Sequence, residues 1–172
     1  MIAVRGLNHA VLFVSDLERA ISFYGTTLGL AVAAREPRAN AAFLRAKDSG
    51  NHHDLGLFGL GVGARRPASG HTGLYHLAWQ VNTIDELAEA RDMLLMSNAY
   101  HGESSHGATK SIYGFDPDGN EFEVMWMLPR NEWGTYEFSA PVDPLDLAAE
   151  VERWAGVATA QRYSVSAREE QI

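Results

Sequence analysis

The chain of 172 residues contains no cysteine, which excludes disulfide bonds and thiolate metal ligands. It also has no uninterrupted apolar run near the ~20 residues that cross a bilayer as a helix. Residues 1–14, MIAVRGLNHAVLFV, lack the charged, apolar and small-residue order of a signal peptide. These absences predict a cytoplasmic protein that has no membrane partner.

Positive charge is scarce as well. The 14 lysines and arginines face 22 aspartates and glutamates, so the formal net charge is −8. A protein that neutralises nucleic-acid phosphates needs a basic surface, and nucleic acid is therefore not an expected partner. The 46% hydrophobic and 21% charged residues are ordinary for a globular domain. The length suits one domain with a substantial core.

The most informative stretch is 111–127, SIYGFDPDGNEFEVMWM. Pro117 and Gly119 are typical of a tight turn, and β-forming residues flank them on both sides. The stretch therefore predicts a hairpin. In its second strand, alternation places Glu121, Glu123 and Met125 on one face and Phe122, Val124 and Trp126 on the other. An acid midway along an apolar strand is costly to bury unless it is paired or binds a cation, so Glu123 needs a partner.

The sequence contains an internal repeat. Leu7-Asn8-His9-Ala10 corresponds to Leu74-Tyr75-His76-Leu77, an offset of 67 residues (76 − 9). A capping box follows each segment, Ser15 with Glu18 and Thr83 with Glu86, and precedes apolar residues at helical spacing. We predict one domain over residues 1–128, with strand–helix–strands modules at 4–62 and 72–128.

Residues 129–172 lie outside the repeat and are predicted to form a C-terminal extension. Asp143-Pro144 has the pattern of a helix N-cap followed by proline at the first helical position. Leu147, Val151 and Trp154 then form one apolar stripe. This pattern predicts a helix that packs on the domain or on a second subunit, and the tail from Arg162 is predicted to be loose.

Three dispersed residues suggest a metal site. His9 and His76 occupy matching positions in the two modules, and Glu123 lies on the last strand of the second module. Two neutral imidazoles and one carboxylate form the facial triad that suits non-heme Fe(II), because three coordination positions stay open. Each histidine alone is better explained as a half-buried strand residue, and Glu123 alone is also explained as a surface acid. Because all three residues occur at corresponding places in the two repeated modules, they are predicted to bind one metal ion together.

Five motifs together resemble the vicinal oxygen chelate superfamily of glyoxalases, bleomycin resistance proteins and extradiol dioxygenases. The resemblance spans about residues 4–128 and is closest to single-domain, catechol-2,3-dioxygenase-like type I extradiol dioxygenases. The motifs are Leu7-Asn8-His9, His52-His53-Asp54-Leu55, Leu74-Tyr75-His76, His106-Gly107-Ala108-Thr109, and Tyr113 to Asn120 ahead of Glu123.

The resemblance implies an α+β fold of two tandem βαβββ modules that form a cupped mixed sheet around the metal. It implies that His9, His76 and Glu123 hold Fe(II), or Mn(II) in some members. The implied reaction is cleavage of a catechol-type aromatic vicinal diol with O₂. A homodimer is also expected, since sheet edges and the tail helix offer contact surfaces.

The resemblance further assigns catalytic roles to His53, Tyr113 and His106. A diol that binds a metal must lose protons, and an imidazole with a near-neutral pKa can accept and return them, so His53 is the candidate acid–base. Tyr113 and His106 are candidates to hydrogen-bond the substrate oxygens. Strict alternation instead places Asp54 opposite Glu123 and turns His53 away, unless a β-bulge intervenes.

Simpler explanations and two alternative functions stay open. The His52-His53 pair is also explained as a polar strand start, Tyr113 as a core aromatic residue and His106 as a loop residue. Another metal chemistry on the same fold, a glyoxalase-type isomerase or an epimerase, is one alternative. A metal-free binding protein of the bleomycin-resistance type is the other, and it predicts non-coordinating residues at the ligand positions.

Overall fold

The computed structural model describes residues 1–4, 6–66, 70 and 72–159. Both modules have the predicted order of one strand, one helix and three strands, which confirms the α+β fold. The first comprises β1 (Ala10–Val14), α1 (Leu17–Leu28), β2 (Ala31–Glu36), β3 (Ala41–Arg45) and β4 (Leu55–Gly59). The second comprises β5 (His76–Gln80), α2 (Ile84–Met96), β6 (Tyr100–Ser105), β7 (Thr109–Phe115) and β8 (Glu121–Met127).

The β-structure consists of two four-stranded mixed sheets with equivalent topology. Their strand orders are β1-β4-β3-β2 and β5-β8-β7-β6. In each sheet the first and last strands of the module pair in parallel, and the remaining neighbours pair antiparallel. The same order in both sheets confirms the internal repeat at the level of structure.

The two module helices begin differently. Thr83 and Glu86 form the predicted capping box at the start of α2. The corresponding prediction for α1 is wrong, because the N-cap is Asp16, whose side chain accepts from the backbone N–H of Arg19. The Ser15 hydroxyl instead donates to the Asp118 carboxylate, 2.5 Å away, and thereby contacts the second module.

Each module helix packs on one face of its own sheet. In the first module Leu12 and Val14 of β1 are buried under α1 together with Leu55 and Leu57 of β4. In the second module Phe122, Val124 and Trp126 of β8 are buried, as alternation along the hairpin predicts. The opposite face of each sheet therefore carries no module helix.

A short helix, α3 (Leu147–Trp154), confirms the predicted C-terminal helix. It begins later than predicted, because Asp146 rather than Asp143 caps it by accepting from the backbone N–H of Ala149. Leu147, Val151 and Trp154 pack on the second core, and the rings of Trp126 and Trp154 lie 6.1 Å apart. The tail from Arg162 lies outside the described residues.

The two modules contact each other through α1 and the turn between β7 and β8. The Tyr24 hydroxyl donates to the buried carboxylate of Asp116 at 2.9 Å, and Arg19 pairs with Asp118 at 2.9 Å. The rings of Phe23 and Phe122 meet edge to face at 5.9 Å. No helix in the described part of the chain is both long and apolar enough to cross a membrane.

Candidate functional site

The imidazole of His76 and the carboxylate of Glu123 form a pair on the free face of the second sheet. The parallel register of β5 and β8 sets Ala78 opposite Glu123, which brings the side chain of His76 within reach. His76 Nε2 lies 3.0 Å from Glu123 Oε2. Glu123 is only 8% exposed, so this contact compensates part of the cost of burying its charge. The predicted partner of Glu123 is therefore present.

The pair lines a cavity of about 510 Å³. Met125 and Met127 provide an apolar wall, and Ala140 and Val142 of the C-terminal extension close another side. Pockets for small ligands combine such apolar walls with a few convergent polar groups. The polar groups here are Tyr75, His76, Gln80, Ser104, His106, Thr109, Tyr113 and Glu123.

Tyr113 and His106 are hydrogen-bonded to each other in this cavity. Tyr113 lies directly opposite Glu123 in the β7–β8 register. Its hydroxyl oxygen is 2.8 Å from Nε2 of His106, and Ser104 Oγ is 3.0 Å from the same nitrogen. The other ring nitrogen, Nδ1 of His106, lies 2.7 Å from the carbonyl oxygen of Pro141. The site therefore holds a fixed imidazole and phenol beside the His76–Glu123 pair.

The phenol of Tyr113 keeps its proton at neutral pH. Burial is the main cause that raises its pKa above the usual value; the hydrogen bond from Ser104 opposes this shift, and the nearby Glu123 charge reinforces it. Tyr113 therefore enters any reaction in this cavity as a neutral hydroxyl.

His9 and His53 lie together on the free face of the first sheet. Their ring centroids are 4.3 Å apart, and His53 also packs edge to face on Phe43 at 4.9 Å. His9 precedes β1 by one residue rather than lying within the strand. Burial lowers the pKa of His53, and the neighbouring His9 and His52 lower it further. His53 is therefore a neutral base at pH 7.

The carboxylate of Asp54 is bound by the turn that precedes β4. It accepts from the backbone N–H of Ala46 at 2.8 Å, from the Ser49 hydroxyl at 2.6 Å and from the Asn51 amide at 2.8 Å. Burial alone would raise the pKa of Asp54, but these hydrogen bonds outweigh it and hold the pKa below its usual value. The strand begins only at Leu55, so alternation does not govern the two preceding residues.

The predicted site residues thus form two groups. His76, Glu123, Tyr113 and His106 share one cavity in the second module, whereas His9 and His53 lie on the sheet of the first module. Within the described residues, no group of three or more histidine, aspartate or glutamate side chains is arranged to hold a metal ion. The two donors in the cavity, one nitrogen and one oxygen, are of a kind that fits divalent iron or manganese, but they are one short of the triad.

Sequence reasoning missed Ser104 and the carbonyl group of Pro141. Ser104 pairs across the sheet with Ser111, which alternation along β7 places on the same face as Tyr113, so this register is the signal that would have found it. A backbone carbonyl that arrives from 35 residues further along the chain leaves no such signal.

Comparison with known proteins shows the family to which the chain belongs. A model of the glyoxalase/bleomycin resistance protein/dioxygenase superfamily matches residues 6–124. The chain is 31% identical over 127 residues to a protein named catechol-2,3-dioxygenase from Bacillus subtilis, covering 74% of this chain and 43% of that protein. It is 33% identical over 125 residues to biphenyl-2,3-diol 1,2-dioxygenase 3 from Rhodococcus globerulus, covering 69% of this chain and 61% of that protein.

The chain therefore spans less than two thirds of the length of these curated relatives. Among solved structures, a glyoxylase/bleomycin resistance protein/dioxygenase domain from Frankia sp. EAN1pec aligns with a TM-score of 0.60 at 20% identity. The alignment covers 73% of this chain and all of that domain, and it supports the fold. The fold, the match over residues 6–124 and the relatives agree, and the chain belongs to the glyoxalase/bleomycin resistance protein/dioxygenase superfamily.

Proposed function

We propose that the protein is an extradiol ring-cleaving dioxygenase. It acts on a catechol-type aromatic vicinal diol with O₂ at a non-heme Fe(II), with Mn(II) as the alternative ion. The observation that carries the proposal is the cavity of the second module, in which the His76–Glu123 pair faces Tyr113 and His106. The dioxygenase names of the relatives from Bacillus subtilis and Rhodococcus globerulus support the same reaction class.

In this proposal His76 and Glu123 are two of the three metal ligands and His9 is the third. A divalent ion held by these residues would supply the Lewis-acid and redox chemistry of the reaction between the diol and O₂. His76 Nδ1 is buried and has no hydrogen-bond partner in the described part of the chain, although Glu121 approaches it to 4.0 Å. Metal-ligating histidines usually donate their other ring N–H to a carboxylate or a carbonyl group, and Glu121 is the carboxylate next to Nδ1.

We extend the proposal to a homodimer in which a second copy supplies His9. In one chain His9 lies on a face where Val11 is 51% exposed and Phe13 is 68% exposed. Contiguous exposed apolar residues of this kind are typical of an interaction surface. A second copy that covers this face with the cavity side of its second module buries them and brings His9 and His53 to a His76–Glu123 pair.

Different side chains accept the substrate proton and hold the substrate hydroxyl. An aromatic diol loses protons when it binds, and His53 accepts them. The lowered pKa of His53 keeps its ring neutral, and His53 comes from the second copy together with His9. Tyr113 and His106 hold the substrate hydroxyl from the opposite side through their mutual hydrogen bond. The methionines and the wall of Ala140 and Val142 keep water from the ring.

Anaerobic reconstitution tests the proposal. The protein is loaded with Fe(II), freed of excess metal, mixed with a panel of catechols and then exposed to O₂. We expect about one iron per chain and a yellow ring-opened product from at least one catechol. Bound iron without any product from a broad panel would contradict the reaction. Catechol binding without metal retention would favour the metal-free binding protein.

A further inference from the structure

Residues 139–143, here named the strap, cross one side of the cavity. The strap is fastened to the end of β6, where Ser105 N donates to Asp143 O at 2.8 Å and Asp143 N donates to Ser105 O at 3.0 Å. Ala140 and Val142 of the strap line the cavity. The strap is therefore part of the site wall and is held by backbone hydrogen bonds.

Side chains from the rest of the extension support this attachment. The Ser105 hydroxyl accepts from the ammonium group of Lys110 at 2.9 Å, and Lys110 is paired with Glu150 of α3 at 2.7 Å. Lys110 is a buried residue, so the position of this charge is well defined. The ring of Tyr136 lies directly on Gly107, where it leaves no room for a side chain.

The strap determines which nitrogen of His106 carries the proton. Nδ1 lies 2.7 Å from the carbonyl oxygen of Pro141, and a carbonyl oxygen only accepts, so the hydrogen is on Nδ1. Nε2 of the neutral ring is then an acceptor. The Tyr113 hydroxyl, 2.8 Å away, is closer to Nε2 than the Ser104 hydroxyl at 3.0 Å and is its donor.

The direction of these hydrogen bonds decides whether Tyr113 accepts a hydrogen bond from a ligand or donates one to it. Because the Tyr113 proton points at His106, the tyrosine oxygen presents a lone pair to the cavity. Ser104, 3.3 Å from that oxygen, occupies one further lone pair. If the proton were on Nε2 instead, His106 would donate to the tyrosine oxygen and the phenol proton would point at the ligand.

We propose that the strap is a positioning segment that makes Tyr113 a hydrogen-bond acceptor toward the ligand. The resulting chain runs from a ligand hydroxyl to Tyr113, then to His106 and finally to the carbonyl group of Pro141. It selects an aromatic ligand that carries a free hydroxyl and rejects the corresponding ether. The ligand class rests on the proposed function, whereas the direction of the hydrogen bonds does not.

Nitrogen-15 spectra of histidine-labelled, metal-free full-length protein test the direction. The tautomer of a histidine is visible in its two ring-nitrogen shifts, and the His106 signals are identified by their loss in His106→Gln. We expect the Nδ1–H form in the wild type. The Nε2–H form, or rapid averaging of both forms, overturns the proposal, and this measurement needs no variant that alters the strap.

A pair of strap variants tests its origin. Asp143→Pro removes the N–H that donates to Ser105, while Asp143→Ala keeps it and changes only an exposed side chain. We expect the fixed Nδ1–H signature to be lost in Asp143→Pro and kept in Asp143→Ala, with thermal unfolding recorded for both. A folded Asp143→Pro variant with the wild-type tautomer shows that the strap does not set it.

Titration with phenol and with anisole tests the selection. One hydrogen bond to the ligand hydroxyl makes phenol bind about tenfold more tightly than anisole to the wild type. Tyr113→Phe is expected to abolish the difference. Equal affinities in the wild type overturn the proposal. Because neither the spectra nor these titrations use iron or O₂, failure of ring cleavage with the expected tautomer contradicts only the proposed reaction.

Discussion

Nε2 of His76 lies 3.0 Å from Oε2 of Glu123, although the two residues are 47 positions apart in the sequence (123 − 76). His76 is on β5 and Glu123 is on β8, which pair in parallel in one sheet. Parallel strands keep such a pair at a fixed distance, because their register is set by backbone hydrogen bonds on both sides of β8. The second sheet therefore holds two potential metal ligands, an imidazole nitrogen and a carboxylate oxygen, at a fixed separation on its free face.

Replacing Glu123 by glutamine tests its role as a ligand. Glutamine has nearly the same shape, so we expect the fold to be kept while the charge that holds a divalent ion is lost. Iron affinity is expected to fall by more than the roughly 100-fold that losing a hydrogen-bond partner of a ligand can cause. Iron content after gel filtration and metal titration measure this loss. Glu103→Gln, which removes the partner of Arg91 elsewhere on the sheet, is the control and is expected to retain iron. Equal iron content in both variants would contradict the assignment.

The sequence predicts those parts of the fold that local chemistry determines. The hairpin at 111–127 was predictable because Pro117 and Gly119 define its turn, and alternation then assigns Glu123 to the cavity face. Thr83 and Glu86 are likewise close enough in sequence to define the start of α2. In each case the interacting groups are near neighbours along the chain.

Contacts between distant residues determine what the sequence does not predict. Ser15 does not cap α1, because its hydroxyl donates to Asp118, which is 103 residues away in the sequence. Asp54 is an exception, because the three donors that bind its carboxylate lie in the turn just before it, and only their side-chain geometry was not predictable. His9 and His76 lie on separate sheets, and the way α1 docks against the second module is not encoded by any spacing rule.

A mixing experiment tests whether two copies share one site. His9→Ala lacks one proposed ligand and Glu123→Ala lacks another, so each variant alone is expected to be inactive. If His9 comes from a partner, a mixed dimer has one complete site and one that lacks both ligands. Random exchange of subunits in an equal mixture then restores about a quarter of the wild-type activity and iron content. A mixture that stays inactive after refolding together indicates that the ligands must come from the same chain.

The hydrogen bond from Tyr24 to Asp116 is predicted to hold the modules together. Burial and the Asp116 charge raise the pKa of Tyr24, so the hydroxyl is always a donor. Tyr24→Phe leaves a buried carboxylate with one donor fewer, and we expect the free energy of unfolding to fall by about 1–3 kcal/mol. Denaturant unfolding measures the change. Tyr136→Phe, at an exposed ring, is the control and is expected to change stability by less than about 0.5 kcal/mol.

Asp54 predicts a specific acid sensitivity of the turn that precedes β4. The folded pKa of Asp54 is held below the unfolded value of about 3.9, so the carboxylate stabilises the fold above that pH. This contribution is lost as the pH falls through the lower, folded pKa. Asp54→Asn removes it, and we expect the variant to be less stable than the wild type at pH 7.

The difference in stability between wild type and Asp54→Asn should begin to shrink as the pH falls below about 4, where the unfolded chain takes up the proton, and should disappear below the lower, folded pKa, where the wild-type carboxylate is protonated in the fold as well. Asp48→Asn changes an exposed carboxylate in the same turn and is the matched control. Denaturant unfolding at a series of pH values gives each difference. A constant difference for Asp54→Asn across this range, or an equal effect of Asp48→Asn, would mean that the hydrogen bonds from Ala46, Ser49 and Asn51 are not what stabilises the ionised carboxylate. Because the same turn leads directly into His53, loss of this carboxylate is also expected to broaden the His53 ring signals at pH 7.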